Sequence, residues 1–330
     1  MTGAATAPVL QIRNLAVCYG SPKGLVRAVR DASLEVGAGE AVALVGETGS
    51  GKSTTGLAAA GLLDPQAVES GEVLFQGRDL LRAPERELRR VRGRDVGVVF
   101  QQSRSALNPV MTTGAHLVEA LRAHASIDRS EARRRVLALL GEVGLPDAVA
   151  HRYPFELSGG MCQRVQIALA ICHRPKLLIA DEPSSALDPT IAAQILDLLR
   201  NLRARYSLAL LLITHDLQLA RSADRVAVMY HGRVVEAGPA AEVCSRPAHP
   251  YTRALFEAQV TLGHRREERP LRAVAGVPPE PSIALPGCAF APRCPLSEPA
   301  CTAAVPALAA LGRSRWAACI KPVWDDASTH

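Results

Sequence analysis

The run AVALVGETGSGKST occupies residues 41–54 and decides the fold. It begins with an unbroken apolar segment, residues 41–45, whose length and composition suit a β-strand buried on both faces. The segment that follows, residues 46–53, fits the pattern G-x-x-x-x-G-K-[ST], a turn whose backbone N–H groups can surround phosphates. Residues 52–62 then predict an apolar helix, whose N-terminus adds its dipole. Strand, loop and helix in this order predict a phosphate-binding loop in an α/β fold.

Two side chains of the loop have predicted roles of their own. Lys52 can reach the β- and γ-phosphates, and the Ser53 hydroxyl can bind Mg²⁺. The plain alternative is a glycine-rich turn that caps a helix, and the buried strand in front of it argues against that reading. The candidate ATP-binding residues of the loop are Gly46, Glu47, Thr48, Gly49, Ser50, Gly51, Lys52, Ser53 and Thr54.

A second apolar segment, residues 177–180, ends in the acids Asp181 and Glu182. Ligands of open α/β sheets bind at the carboxyl ends of the strands. We therefore expect Asp181 to hold Mg²⁺ and Glu182 to polarise the attacking water. Two acids after a strand could equally cap a helix. They indicate a catalytic site because they accompany a phosphate-binding loop.

Three further residues follow predicted strands. Gln101 can reach the metal or the attacking water, His215 can contact the γ-phosphate, and Tyr19 can stack on adenine. Each has an ordinary alternative: a surface amide, a satisfied polar histidine and an interior tyrosine. Their placement after successive strands is what favours the functional interpretation.

The composition bounds the remaining possibilities. The chain has 330 residues, of which 48% are apolar, and a net charge of +6, which identifies neither a nucleic acid nor a lipid partner. No stretch approaches the ~20 apolar residues of a membrane-spanning helix, and the N-terminus lacks a secretory pattern. We therefore expect a chain that remains inside the cell, with its 8 cysteines mostly reduced or metal-bound.

The segment LSGGMCQR, residues 157–164, resembles the signature motif of ATP-binding-cassette (ABC) ATPases. Ser158, Gly159 and Gly160 would open a helix and present free N–H groups and a hydroxyl. In that family they close over the ATP of a partner subunit, so they are expected to bind ATP in trans. A simple serine cap with a flexible glycine pair is the plain alternative.

The resemblance covers about residues 8–240 and implies the fold. This is a P-loop NTPase ABC cassette, with a RecA-like core, an antiparallel β subdomain and a helical subdomain. It further implies ATP and Mg²⁺ as cofactors, with the metal held through Ser53, Gln101 and Asp181. Residues 185–188 resemble the loop that crosses the dimer interface, and His215 resembles the switch histidine.

Two segments resemble one branch of the family, the oligopeptide/dipeptide permease ATPases: SALNPVM at residues 105–111 and HPYTR at residues 249–253. This resemblance implies a dipeptide or oligopeptide importer. Its expected partners are a second ABC ATPase, two integral membrane permease subunits and an extracytoplasmic substrate-binding protein. The chain is expected at the cytoplasmic side of the inner membrane, as a peripheral subunit. A nickel or other solute importer remains open. A soluble ABC ATPase acting on nucleic acid or the ribosome is disfavoured, because such proteins usually have two cassettes or a long coiled-coil insertion, and this sequence shows one cassette and no sustained heptads.

A proline-rich end contains four grouped cysteines, Cys288, Cys294, Cys301 and Cys319, spaced C-x5-C-x6-C-x17-C. We expect an ABC ATPase domain over residues 1–261 and a Cys-rich extension over residues 262–330. The tail resembles that of peptide-permease ATPases, some of which carry a [4Fe–4S] cluster, and this implies a cluster on the four thiols. Zinc or free thiols remain open, although the tight C-x2-4-C pair of zinc sites is lacking.

Overall fold

The computed structural model describes residues 7–22, 24–258, 274–312 and 314–323. The boundary expected between residues 261 and 262 lies outside the described residues. The strands of the described part are β1 (Leu10–Ser21), β2 (Gly24–Val36), β3 (Ala41–Val45), β4 (Val68–Phe75), β5 (Arg78–Asp79), β6 (Val96–Val99), β7 (Leu177–Asp181), β8 (Ala209–Thr214), β9 (Arg225–Tyr230), β10 (Arg233–Pro239), β11 (Ala309–Ala310) and β12 (Trp316–Ala317). Its α-helices are α1 (Lys52–Ala59), α2 (Glu85–Val91), α3 (Thr113–His124), α4 (Arg129–Glu142), α5 (Gly159–Ile171), α6 (Pro189–Tyr206), α7 (Leu217–Ala220), α8 (Ala240–Ser245), α9 (Pro250–Glu257) and α10 (Pro299–Ala303).

A parallel sheet forms the centre of the fold. Strand β3 lies between β8 and β9, and β7 and β6 continue the sheet beyond β8, all in parallel. The last residue of β3, Val45, is opposite Thr214, and Asp181 is opposite Ile213. The carboxyl ends of three strands therefore meet at one edge, where the phosphate-binding loop and the predicted acids begin.

An antiparallel layer adjoins this sheet. Strand β1 pairs with β2 on one side and β4 on the other, and β2 joins the parallel sheet through β10, where Asp31 is opposite Arg233. Helix α1 packs on the parallel sheet at Gly56, where an added Cβ would lie 2.4 Å from the Ile213 side chain. One buried cluster accordingly contains residues of both layers and of α1.

Helices α3, α4 and α5 form a separate group beside the strand β6. They share a second core cluster that includes Leu117, Leu140 and Val165, and α5 also contacts β6. Asp128 caps α4, and Ser158 caps α5, each accepting a hydrogen bond from the backbone three residues later. The apolar spacing of residues 114–125 and 131–143 predicts two amphipathic helices. The helices α3 and α4 confirm both, each displaced by one or two residues.

The C-terminal segment, residues 274–312 and 314–323, packs on the sheet and does not hang free of it. Strand β12 pairs with β10, with Ala317 opposite Glu236. Phe290 is fully buried, its ring 5.5 Å from that of Tyr230 and 5.4 Å from that of Tyr251. Among the described residues, no helix is both long enough and apolar enough to traverse a bilayer.

Candidate nucleotide site

The phosphate-binding loop has a conformation that only glycine accommodates at its first position. Gly46 has φ +154°, and an added Cβ would lie 2.1 Å from the carbonyl oxygen of Met229. The Lys52 ammonium is buried and donates to the carbonyl oxygens of Gly46 at 2.8 Å and Glu47 at 3.0 Å. Burial lowers the pKa of Lys52, while the nearby Glu182 carboxylate opposes that shift. The loop is therefore folded around a cation that faces the sheet edge.

Asp181 ends β7 beside this loop, with a carboxylate that is only half satisfied. Burial raises the pKa of Asp181, a hydrogen bond from Ser53 lowers it, and the charge of Glu182 raises it. Within the described part of the chain, its Oδ1 is buried and has no hydrogen-bond partner. A buried, unpartnered carboxylate oxygen next to a serine hydroxyl suits Mg²⁺, which prefers oxygen ligands. These two residues fit the magnesium ion that the sequence predicted.

Glu182 has an uncommon backbone conformation. Its φ is +51°, in the left-handed region that costs a non-glycine residue about 1 kcal/mol or more. Its N–H donates to the carbonyl oxygen of Ile213 at 2.8 Å, which fixes the residue against β8. Its carboxylate oxygen Oε2 lies 2.5 Å from Nδ1 of His215. The Glu182 side chain is only 11% exposed, whereas that of His215 is 63% exposed.

A cleft of about 300 Å³ brings most of these residues together. Its lining residues come from the loop, from β2, from the strand ends and from the C-terminal segment: Val26, Ala28, Thr48, Gly49, Gly51, Lys52, Ser53, Thr54, Gln101, Glu182 and Pro281. Tyr19 is not in this lining. It is half-buried against the core, and its cross-strand neighbour Val26 lines the cleft instead. The adenine contact that the sequence predicted for Tyr19 stays a prediction.

The predicted trans residues lie at the exposed start of α5, apart from this cleft. Ser158 and Gly159 are exposed, and the Ser158 hydroxyl accepts a hydrogen bond from the Met161 N–H at 3.3 Å. Gly160 is buried, and an added Cβ would lie 2.6 Å from Cγ2 of Ile191. None of the three lines the cleft of its own chain. This placement leaves the helix start available to a second molecule.

Two further residues, neither of them predicted from the sequence, support the loop. The guanidinium of Arg293 forms a bidentate ion pair with the Glu47 carboxylate, at 2.8 and 3.0 Å. The Tyr251 hydroxyl accepts a hydrogen bond from the Glu47 N–H at 2.9 Å. Tyr251 belongs to the HPYTR segment, so its position was marked although its role was not. No spacing rule marks Arg293, which lies 246 residues from Glu47.

The four cysteines of the C-terminal segment line one small cavity of about 20 Å³, together with His249 and Phe290. Burial raises the pKa of three of these thiols, those of Cys288, Cys294 and Cys319. In the described ranges, no group of three or more Cys, His, Asp or Glu side chains could hold a metal ion as it stands. The four thiols thus line one cavity, but the [4Fe–4S] ligand set predicted for them is not supported by the described residues.

Comparison with known proteins agrees with this geometry. The family model for ABC transporters matches residues 29–185, and the model for the oligopeptide/dipeptide transporter C-terminal region matches residues 235–301. A putative peptide import ATP-binding protein of Brucella ovis is 44% identical over 95% of this chain and 97% of its own length. The dipeptide transport ATP-binding protein DppD of Escherichia coli is 44% identical over 97% of this chain and 98% of its own length.

Solved structures agree on the fold. The dimeric ABC transporter cassette MJ0796 superposes with a TM-score of 0.65 at 29% identity, covering 70% of this chain and 98% of that chain. The same cassette bound to ADP and phosphate after hydrolysis gives 0.64 at 28% identity. The present chain therefore has the ABC cassette fold and is an ABC-type ATPase. It belongs to the ATP-binding proteins of ABC transporters, in their oligopeptide/dipeptide branch.

Proposed function

We propose that this chain hydrolyses ATP as the energy-supplying subunit of an importer for dipeptides or oligopeptides. The observation that carries the proposal is the cleft lined by Lys52, Ser53 and Glu182. Asp181 accepts a hydrogen bond from Ser53 beside it, and His215 contacts Glu182. The peptide substrate rests on the relatives, which are a peptide import protein and a dipeptide transport protein at 44% identity over nearly the whole chain.

Each residue in or beside the cleft has a role that fits its position. The buried Lys52 and the loop N–H groups bind the phosphates, and Ser53, Asp181 and Gln101 hold Mg²⁺. The metal, when bound, adds positive charge to the phosphate oxygens. Glu182 orients the attacking water and accepts its proton. His215 contacts the γ-phosphate, and its 2.5 Å contact with Glu182 aligns the two side chains.

Hydrolysis requires a second ATPase subunit in this proposal. The exposed start of α5, residues 158–160, closes over the γ-phosphate bound to the partner subunit. A helix N-terminus has free N–H groups and a positive dipole end, so it can grip a phosphate. Closure expels water from the cleft and strengthens the electrostatic stabilisation of the transition state. The dimeric form of the similar MJ0796 cassette supports this arrangement.

The remaining partners follow from the family. We propose two integral membrane permease subunits and an extracytoplasmic substrate-binding protein, with this chain attached at the cytoplasmic face of the membrane and no nucleic acid bound. Co-purification of membrane subunits supports the assembly, and recovery of ribosomes or DNA in their place would contradict it.

We also propose an ATPase domain over residues 1–261 and a Cys-rich extension over residues 262–330 that holds a [4Fe–4S] cluster. Four thiols around one cavity support the cluster, and binding it would require them to rearrange, because as they stand the described residues form no metal-ligand group. When bound, the cluster would order a segment that has little core of its own. Iron and sulfide analysis of anaerobically purified protein tests this, and colourless, iron-free protein would refute it.

Two substitutions test the catalytic assignment. Glu182→Gln keeps the shape of the cleft but removes the base, so we expect ATP binding to persist while turnover falls by about 100-fold or more. Lys52→Ala removes the buried cation, so we expect ATP binding itself to weaken. Full ATPase activity in Glu182→Gln would show that another group activates the water.

A further inference from the structure

The contact between Arg293 and Glu47 links the C-terminal segment to the phosphate-binding loop. It is a bidentate pair, with the two guanidinium nitrogens 2.8 and 3.0 Å from the two carboxylate oxygens. The Arg293 side chain is 3% exposed and that of Glu47 is 24% exposed. Fork-to-fork pairs of this kind fix direction as well as distance, and partial burial protects them from screening by salt.

Arg293 is itself held from several sides. Its Nε donates to the carbonyl oxygen of Ala275 at 2.7 Å, and its guanidinium also donates to the carbonyl oxygen of Val274 at 3.3 Å and the Tyr230 hydroxyl at 3.1 Å. A long side chain restrained at so many points has already lost its conformational freedom in the folded protein. It therefore acts as a fixed support for Glu47.

Glu47 connects Arg293 to the Lys52 ammonium. Its N–H is held by Tyr251 and its carboxylate by Arg293, so both ends of the residue are fixed. Its carbonyl oxygen then accepts a hydrogen bond from the Lys52 ammonium at 3.0 Å. Arg293 thus reaches Lys52 through one intervening residue, without lining the cleft itself.

We propose that Arg293 is a positioning residue for ATP binding, through which the C-terminal segment sets the shape and charge of the phosphate-binding loop. The proposal rests on the proposed function, because it presumes that the loop binds ATP. The proposal attributes two effects to the Arg293 side chain. Arg293 holds the loop in the conformation in which the Glu47 carbonyl accepts a hydrogen bond from Lys52. It also neutralises the Glu47 carboxylate, which would otherwise repel the triphosphate.

The two effects predict a specific kinetic pattern. Without Arg293 the loop loosens and the Glu47 charge is exposed to the nucleotide, so ATP affinity should fall by about tenfold or more. The water-activating residue Glu182 is untouched, so kcat should change by less than about threefold. Arg293→Lys keeps the charge but not the fork, and it should restore part of the affinity.

The experiment measures the Kd of Mg·ATP, together with KM and kcat, for the full chain with Arg293→Ala, Arg293→Lys, Glu47→Ala and the double change Glu47→Ala/Arg293→Ala. Arg315→Ala is the matched control. Arg315 is another buried arginine of the same segment and pairs with Glu236 at 2.8 Å, away from the loop. We expect it to lower the melting temperature while leaving the Kd within about twofold.

The outcomes separate the possible explanations. A weakened Kd in Arg293→Ala, partial rescue in Arg293→Lys, and a double variant closer to Glu47→Ala than to the sum of the single changes support the proposal. An unchanged Kd in Arg293→Ala overturns it, as does an equal loss in Arg315→Ala. If Arg293→Ala does not fold, an unchanged Kd in Arg293→Lys overturns the role of the fork. Unchanged binding in Lys52→Ala would instead contradict the proposed function.

Discussion

The buried carboxylate of Glu236 offers a test of whether the C-terminal segment and the cassette form one folding unit. Glu236 is 0% exposed and accepts hydrogen bonds from the N–H groups of Ala248 and His249, each at 2.8 Å, and from the Arg315 guanidinium at 2.8 Å. It thereby joins β10, the start of α9 and the C-terminal segment. The perturbation is Glu236→Gln, which keeps the shape and removes the charge.

The expected loss in the free energy of unfolding follows from the hydrogen-bond donors that lose their acceptor. The glutamine oxygen can keep the bonds from Ala248 and Arg315, but its NH₂ then faces the N–H of His249, and a buried donor without an acceptor costs about 1–3 kcal/mol. The buried Arg315 also loses its counter-charge, and breaking such a pair costs about 3–5 kcal/mol in all. For a chain of this size, that corresponds to a melting temperature lower by about 4–7 °C.

The tryptophans make the assay specific. Both, Trp316 and Trp324, lie in the C-terminal part of the sequence, so their fluorescence reports that part, whereas far-UV circular dichroism reports the whole chain. We expect urea transitions from the two signals to coincide and to shift together in Glu236→Gln. The control Asp197→Asn breaks an exposed pair with Arg200 and should cost less than about 1 kcal/mol. A shift in fluorescence alone would refute a single folding unit.

Three further predictions concern named side chains. Asp181→Asn should abolish Mg²⁺-dependent hydrolysis yet leave the free energy of unfolding equal or higher, since it removes a buried carboxylate whose Oδ1 has no hydrogen-bond partner; a marked loss of stability in urea would contradict this. Burial lowers the pKa of His249 to about 4, so protonation favours the unfolded chain, and stability should fall by about 3 kcal/mol as the pH drops from 6.5 to 4. His249→Gln should lack that part of the acid slope in denaturation measured across this pH range, and an identical slope would exclude the histidine. Gly160→Ala places a Cβ 2.6 Å from Ile191 and should reduce ATPase activity at least about tenfold while Mg·ATP still binds; wild-type turnover would argue against a role for this helix start.

Much of the fold was predictable because its signals are local. The strand predicted over residues 41–45 is β3 as found, and the helix predicted to open at Ser158 is α5, Gly159–Ile171, with Ser158 as its cap. A buried parallel strand is a continuous apolar run, and a capped helix carries its start signal in the sequence. The predicted end of α1 at Leu62 was wrong, because Gly61 adopts φ +65° and the helix stops at Ala59.

Several helices were missed because their sequences carry little periodicity. Helix α2 reads ERELRRV, with one fully buried residue, Val91, and α8 has only six residues. Helix α2 has acids in its first turn and bases in its last turn, which interact favourably with the helix dipole, whereas α8 becomes helical through the packing of Ala240, Val243 and Cys244. No window of sequence contains that tertiary context.

The residues of the site likewise divide into those that the sequence could predict and those that depend on tertiary structure. Lys52, Asp181 and Glu182 could be predicted because the motif and the strand order bring them to one edge. The support from Arg293 could not, since it depends on how residues far apart in sequence fold together. That Val26 lines the cleft while its cross-strand partner Tyr19 does not also depends on how β1 and β2 fold together, which alternation along either strand does not predict.

The most direct test of the account is a structure of the Glu182→Gln protein with Mg·ATP. We expect two chains with ATP between them, and the Ser158 hydroxyl of one within hydrogen-bonding distance, about 3 Å, of the γ-phosphate bound to Lys52 of the other. If the start of α5 lies remote from any triphosphate in every assembly the protein forms, hydrolysis at a shared interface is contradicted.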